Sequence, residues 1–228
     1  MKKKRLFYSN GRPKGMVALN WHDTPEREFT FFAEAYHLVA KEAVAKLRKN
    51  PRFGLYGSPV DDFLAYPVVF LYRHSLELYI KAVILVAAPM LKIKAMHEIN
   101  RENLLKTHSL DKLRQELERV FEAYGWEWDL GTPKFRTLED FRNTISELHE
   151  VDKGSYAFRY PLDTKGNPSL GSHFRFNLLD FCEVLDSLFP VLEGATVGAH
   201  EELQATFRAM AEARQWELEN SDYEPYDD

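Results

Sequence analysis

Arg73, His74, Glu77 and Lys81 form the only dense polar group in the longest apolar run of the chain, Ser58 to Leu91. At about 100° per residue, Arg73, Glu77 and Lys81 fall roughly 40° apart, with His74 beside them on the same face. Two chemistries suit that spacing. Glu77 can sit between two cations as an ion-pair ladder, either solvated or reaching across to the Phe-Arg-Tyr-Pro segment. Alternatively, Arg73 and His74 with the distant Arg159 can form a phosphate or nucleotide pocket. Tyr156, Phe158, Tyr160, Phe174 and Phe176 have faces on which bases can stack, although alternating aromatics also serve packing. No Cys, His and Asp share metal-ligand spacing, and neither a glycine-rich phosphate loop nor a Ser-His-Asp set is present, so neither a metal nor a cofactor is expected.

An apolar run of this length belongs in a membrane or in the centre of a helical bundle. Its Leu, Ile, Val and Phe residues favour insertion by about 6 kcal/mol in total, whereas Arg73, Glu77 and Lys81 near its middle oppose it by roughly 9. The run is therefore expected to be a core helix opening at Ser58-Pro59, with Pro67 a kink or a late start. The chain has 228 residues, 45% of them hydrophobic, which suits one domain with a sizeable core. A net charge of −5 argues against an extended surface for coating nucleic acid. One cysteine, Cys182, excludes a disulfide framework and suits a reducing cytoplasm. The start, Met1 to Gly15, is basic without a following apolar stretch, so no export is expected.

Periodicity predicts a mainly α fold: a single antiparallel bundle of five to six helices over 24–220, with a polar lead-in at 1–23 and an acidic tail at 221–228. The first helix starts at Thr24-Pro25 and runs to Lys49. After a basic, irregular connector, Leu110, Leu113, Leu117, Val120 and Phe121 predict a helix ending at Gly125. Trp126 and Trp128 should plug the edge of the core. Thr137 and Asp140 cap a helix striped with Leu138, Phe141, Ile145 and Leu148. Asn177 opens another helix to Leu192, interrupted at Pro190; Gly194 and Gly198 then separate it from a last helix over 199–220. Alternation at 156–160 and 173–176, around a turn-rich PLDTKGNPSLGS, predicts a small β-hairpin within about 155–176.

A helical bundle with RHSLELYIKA in its central helix, KTHSLDKL before the next long one and DKGSYAFRYPLDTKG after the fourth resembles the HEPN superfamily over about residues 59–195. The resemblance implies a bacterial defence or toxin–antitoxin type protein. Some members are metal-independent ribonucleases; others are silent modules that dimerise or bind a partner or a nucleotide. It also implies a homodimer held through helices near the nuclease motif, with RNA, an antitoxin or another protein as candidate partners and no membrane association. The nuclease motif, an Arg followed after four to six residues by a His, fits Arg142 and His149, with Asn143 in the polar position after the Arg. Spacing of seven places Arg142 and His149 on one helix face about 10 Å apart. There His149 can take the ribose 2′-hydroxyl proton, Arg142 can hold the charge on the phosphorane, and Asn143 can orient either. Arg101 and His108 meet the same spacing. The plainer roles are an Arg142 paired to Ser146 or Glu139 and a His149 favoured by the helix C-terminus.

Overall fold

The computed structural model describes residues 17, 19, 25–51, 53, 59–172 and 174–220. Most of the expected lead-in, Thr24, Ser58 and the acidic tail lie outside these. Six helices occur in the order α1 (Pro25–Arg48), α2 (Pro59–Ile93), α3 (Arg101–Lys106), α4 (Leu110–Tyr124), α5 (Leu138–Val151) and α6 (Leu178–Asn220). Among the described residues no helix is long and apolar enough to cross a membrane.

The apolar run forms α2, and Pro67 lies well inside it rather than at its start. Burial on nearly every side, from Val68 and Val69 through Tyr72, Leu76, Ile80, Val83 and Ile84 to Leu91, makes α2 the axis of the core. Packing is not uniformly antiparallel. Tyr36 and His37 of α1 meet His74 and Tyr72, so α1 runs against α2. Along α6, Asp186 lies beside Tyr72, Phe189 beside Tyr79 and Glu202 beside Lys94, so α6 runs with α2. α4 also runs with α2, from His108 beside Glu77 to Ala123 beside Lys94. The connector carrying α3 makes that possible by returning the chain from the end of α2 to its middle, beside Glu77.

Local chemistry explains the ends of the elements. Thr137 and Asp140 form the expected reciprocal cap on α5. Gly125, at φ +67°, closes α4 with its N–H on the Phe121 and Glu122 carbonyls. Trp128 stacks between Phe121 and Phe141, at 4.1 and 5.1 Å, joining α4 to α5. α3 was not expected; Asn100 caps it by accepting the Asn103 N–H.

Two expectations are overturned. First, α6 does not break at Pro190, Gly194 or Gly198. Leu185, Leu188, Phe189, Leu192, Ala199 and Leu203 form one buried stripe against the core, and that burial outweighs about 1 kcal/mol per helical glycine. At Gly198 the Trp126 ring lies 3.7 Å from where a Cβ would be, an ordinary contact that leaves room for a larger residue. Second, no β-hairpin is seen among the described residues. Among the described residues of 155–176 the only ladder contact is one bridge, Leu162 to Pro168. Asp152 Oδ1 captures the Tyr156 and Ala157 N–H groups, at 2.7 and 3.0 Å. Tyr160 N–H then turns back onto the Tyr156 carbonyl, and Pro161 and Pro168 have no N–H to donate. These donors are spent locally, leaving few for a strand pair.

Candidate functional site

The polar island of α2 is the buried centre of the molecule. Arg73 is 0% exposed, Glu77 1% and Lys81 3%, so the ladder is inside the core rather than on a solvated strip. Glu77 Oε2 accepts from Arg73 Nη1 at 3.0 Å, while Oε1 accepts from Lys81 Nζ at 2.9 Å and lies 2.9 Å from His108 Nδ1. Arg73 Nη2 donates to the His108 carbonyl at 2.6 Å and reaches the Asp152 carbonyl at 3.4 Å. Its Nε lies 3.1 Å from Asp152 Oδ2, close enough for the charges to pair though not aligned as a hydrogen bond. Lys81 also donates to the Leu105 carbonyl. Burying an ion costs several kcal/mol unless its hydrogen bonds are replaced, and here carbonyls from two connectors replace them. Burial pushes the Glu77 carboxyl up, but Lys81, His108 and Arg73 together outweigh it and hold it below the ordinary value.

This network joins the three segments on which the HEPN resemblance rests: the RHSLELYIKA helix, the KTHSLDKL lead and the DKGSYAFRYP turn. It does not make a phosphate pocket. Arg73 has no surface and no spare donor direction toward solvent. His74 stacks on Phe70 at 5.7 Å and meets the edge of Tyr36 at 4.7 Å. Burial pushes its imidazole below the usual value, opposed by Glu77 and aided by Arg73 and Lys81. Arg159 lies outside the core, exposed, its Nε donating to the Ser155 carbonyl. Its guanidinium lies over Phe70, Tyr156 and Tyr160, 5.0 to 5.6 Å from the ring centres.

Arg142 and His149 share α5, as their spacing requires, but Arg142 is engaged. Its Nε and Nη2 grip both oxygens of Glu118 on α4, at 3.1 and 2.7 Å, rather than Ser146 or Glu139. Arg114 binds the same carboxylate and also Asp111, at 2.7 Å from Nη2. Burial pushes the Glu118 carboxyl up, while Arg142 and Arg114 bring it net below the usual range. Asp111 is lowered chiefly by Arg114 hydrogen bonds, and His149 is near enough to add to that. His149 itself is half-buried with a partnerless Nδ1, and Asn143 is exposed. Arg101 begins α3 whereas His108 lies beyond its C-cap, Thr107, so that second pair is not on one helix.

A further cluster, marked by no spacing along the chain, joins three helices. His37 Nε2 lies 2.6 Å from Asp186 Oδ1, and the Tyr72 hydroxyl donates to the same oxygen at 3.0 Å. Burial pushes the adjacent Cys182 thiol up to about 12. An inert thiol and a His–Asp pair shut in by Phe189 make a staple between α1, α2 and α6 rather than a nucleophilic site. Among the described residues no group of His, Cys, Asp and Glu could hold a metal ion.

Among the described residues, a cleft of about 320 Å³ lies where the first part of α2 meets the turn after α5. Tyr66, Tyr160, Pro161, Pro168, Leu170 and Phe174 form most of its wall.

No protein-family model, curated protein or solved structure matches this chain.

Proposed function

We propose that this protein is a HEPN-like helical module of the binding rather than the cleaving kind. The observation that carries this reading is the clamp of Glu118 on Arg142. A guanidinium whose Nε and Nη2 are both committed to one carboxylate is poorly placed to stabilise a phosphorane. Arg159 contrasts with it: among the described residues no carboxylate is paired with it, and three aromatic rings surround it.

The test is incubation of end-labelled single-stranded RNA with the purified full chain in EDTA, alongside Arg142→Ala and His149→Ala. The expected result is no cleavage above background by any of the three. Fragments with cyclic-phosphate ends, lost at least a hundredfold in both variants, would restore the ribonuclease reading at Arg142 and His149.

A further inference from the structure

The cleft between α2 and the turn after α5 combines aromatic walls, a buried hydroxyl without a partner and neighbouring cations. Tyr66 contributes from α2, and Tyr160 and Phe174 from the turn. All three remain 37–51% exposed, so their faces are not spent on the core. A volume of about 320 Å³ lies at the small end of ligand cavities, which is room for one ring. The Ser169 hydroxyl on the same wall is buried without a hydrogen-bond partner, so an occupant that brings a hydroxyl relieves a cost of folding.

Residues 153–175 carry Lys153, Arg159, Lys165 and Arg175, all exposed, against the single carboxylate of Asp163. Asp163 is occupied within its own turn, accepting from the Lys165 and Asn167 N–H groups and the Asn167 amide. Arg159 lies beside the wall, its guanidinium over the Tyr160 ring at 5.6 Å. Its Nε donates to the Ser155 carbonyl, which orients the fork and leaves the far edge for a carboxylate.

The chain contains the complement of this surface. Residues 221–228, Ser-Asp-Tyr-Glu-Pro-Tyr-Asp-Asp, hold four carboxylates, two tyrosines and no cation. They are out of reach of their own cleft. α6 runs with α2, Glu202 lying beside Lys94, so the end of α6 and Tyr66 are about 70 Å apart along the helix axes. A segment of this length, fully extended, spans at most about 28 Å.

We infer that the cleft holds residues 221–228 of a second copy of this chain. The Tyr226 ring enters between Tyr66, Tyr160 and Phe174, its hydroxyl meets Ser169, and Asp227 or Asp228 meets Arg159. Tyr226 suits the cleft better than Tyr223, because an extended chain carries it roughly 20 Å beyond the end of α6, clear of the helix. Pro225 before it restricts the backbone and lowers the entropy lost on docking. The contact goes beyond the module reading and holds whether or not the chain cleaves RNA.

Photo-cross-linking of the full chain tests it, with benzoylphenylalanine at position 226 and an equal amount of isotopically heavy, unmodified chain. The expected product joins position 226 to the heavy tryptic peptides 160–165 or 166–175. Sedimentation equilibrium of the unmodified chain should show association that weakens with salt. Tyr226→Ala and Arg159→Glu should each weaken it about tenfold or more, and adding Asp227→Lys to Arg159→Glu should recover most of that loss. Circular dichroism checks that the variants stay helical. A cross-link confined to the light chain, one into the basic run Lys2 to Arg5, or none at all overturns the contact. A chain that stays monomeric at tens of micromolar also overturns it. So does association that all the variants leave unchanged, as a dimer built on α5 alone would show.

Discussion

Glu77 shows most directly how a residue's neighbours decide what it does. Its carboxylate neutralises Arg73 and Lys81 inside the core and fixes the His108 ring from beneath. Removing one member of a buried ion network leaves uncompensated charge, so Glu77→Ala should destabilise the protein by about 3–5 kcal/mol in urea unfolding. Glu102→Ala is the control. Its partner Lys106 lies on the surface of α3, both side chains over 70% exposed, and the loss should be under about 1 kcal/mol. Similar small losses from both substitutions would mean that water reaches Glu77. The same distinction separates Arg142 from Arg159. Each is an arginine beyond the core, but one has met a carboxylate across a helix seam and the other has met aromatic rings.

At the scale of elements, α6 is the informative case, because its sequence contains the marks of a break and its structure has none. Gly194 is helical, exposed and has nothing within 4 Å of where a Cβ would sit. Gly194→Ala should therefore stabilise the protein by about 0.5–1 kcal/mol, read from the shift in the urea midpoint. If the chain turned there with a left-handed glycine, the same substitution would destabilise it, and that outcome would refute the continuous helix. The missing hairpin teaches the converse. Alternating aromatics at 156–160 satisfy the pattern of a strand, yet a single carboxylate, Asp152, bends the backbone by taking two of its N–H groups. Pattern reports which side chains are apolar, and hydrogen-bond partners decide the backbone.

Across the whole molecule, carboxylates join the elements: Glu77 links α2 to His108 in the connector after α3, Asp186 links α1, α2 and α6, and Glu118 links α4 to α5. Each is pushed up by burial but held net below its ordinary value by its partners, His37 and Tyr72 being those of Asp186. A lowered folded value means that the unfolded chain takes up protons first. The stabilisation is thus complete above the ordinary carboxylate range, about pH 5 and higher, and is lost as pH falls through the folded values. Urea midpoints should hold between pH 6 and 7 and fall steadily below about pH 4.5. Asp186→Asn should be less stable at pH 7 and lose less on acidification. A midpoint as high at pH 3.5 as at pH 7 would show that these joints contribute nothing.

The chain by itself determined that the protein is helical and where most helices lie. An apolar run with Arg73, Glu77 and Lys81 on one face has a core helix as its economical fate, and the Thr137/Asp140 cap and Gly125 stop act within one turn of themselves. Such features are local, so spacing carries them. Partners far along the chain are not local. That Glu118 lies against Arg142, that His108 and Asp152 close over Arg73, and that Tyr66 and Tyr160 line one cleft all depend on how α2, α4, α5 and the two connectors pack. A charge has the same letter whether paired or open, and only the tertiary structure decided which cations met a carboxylate and which met aromatic rings.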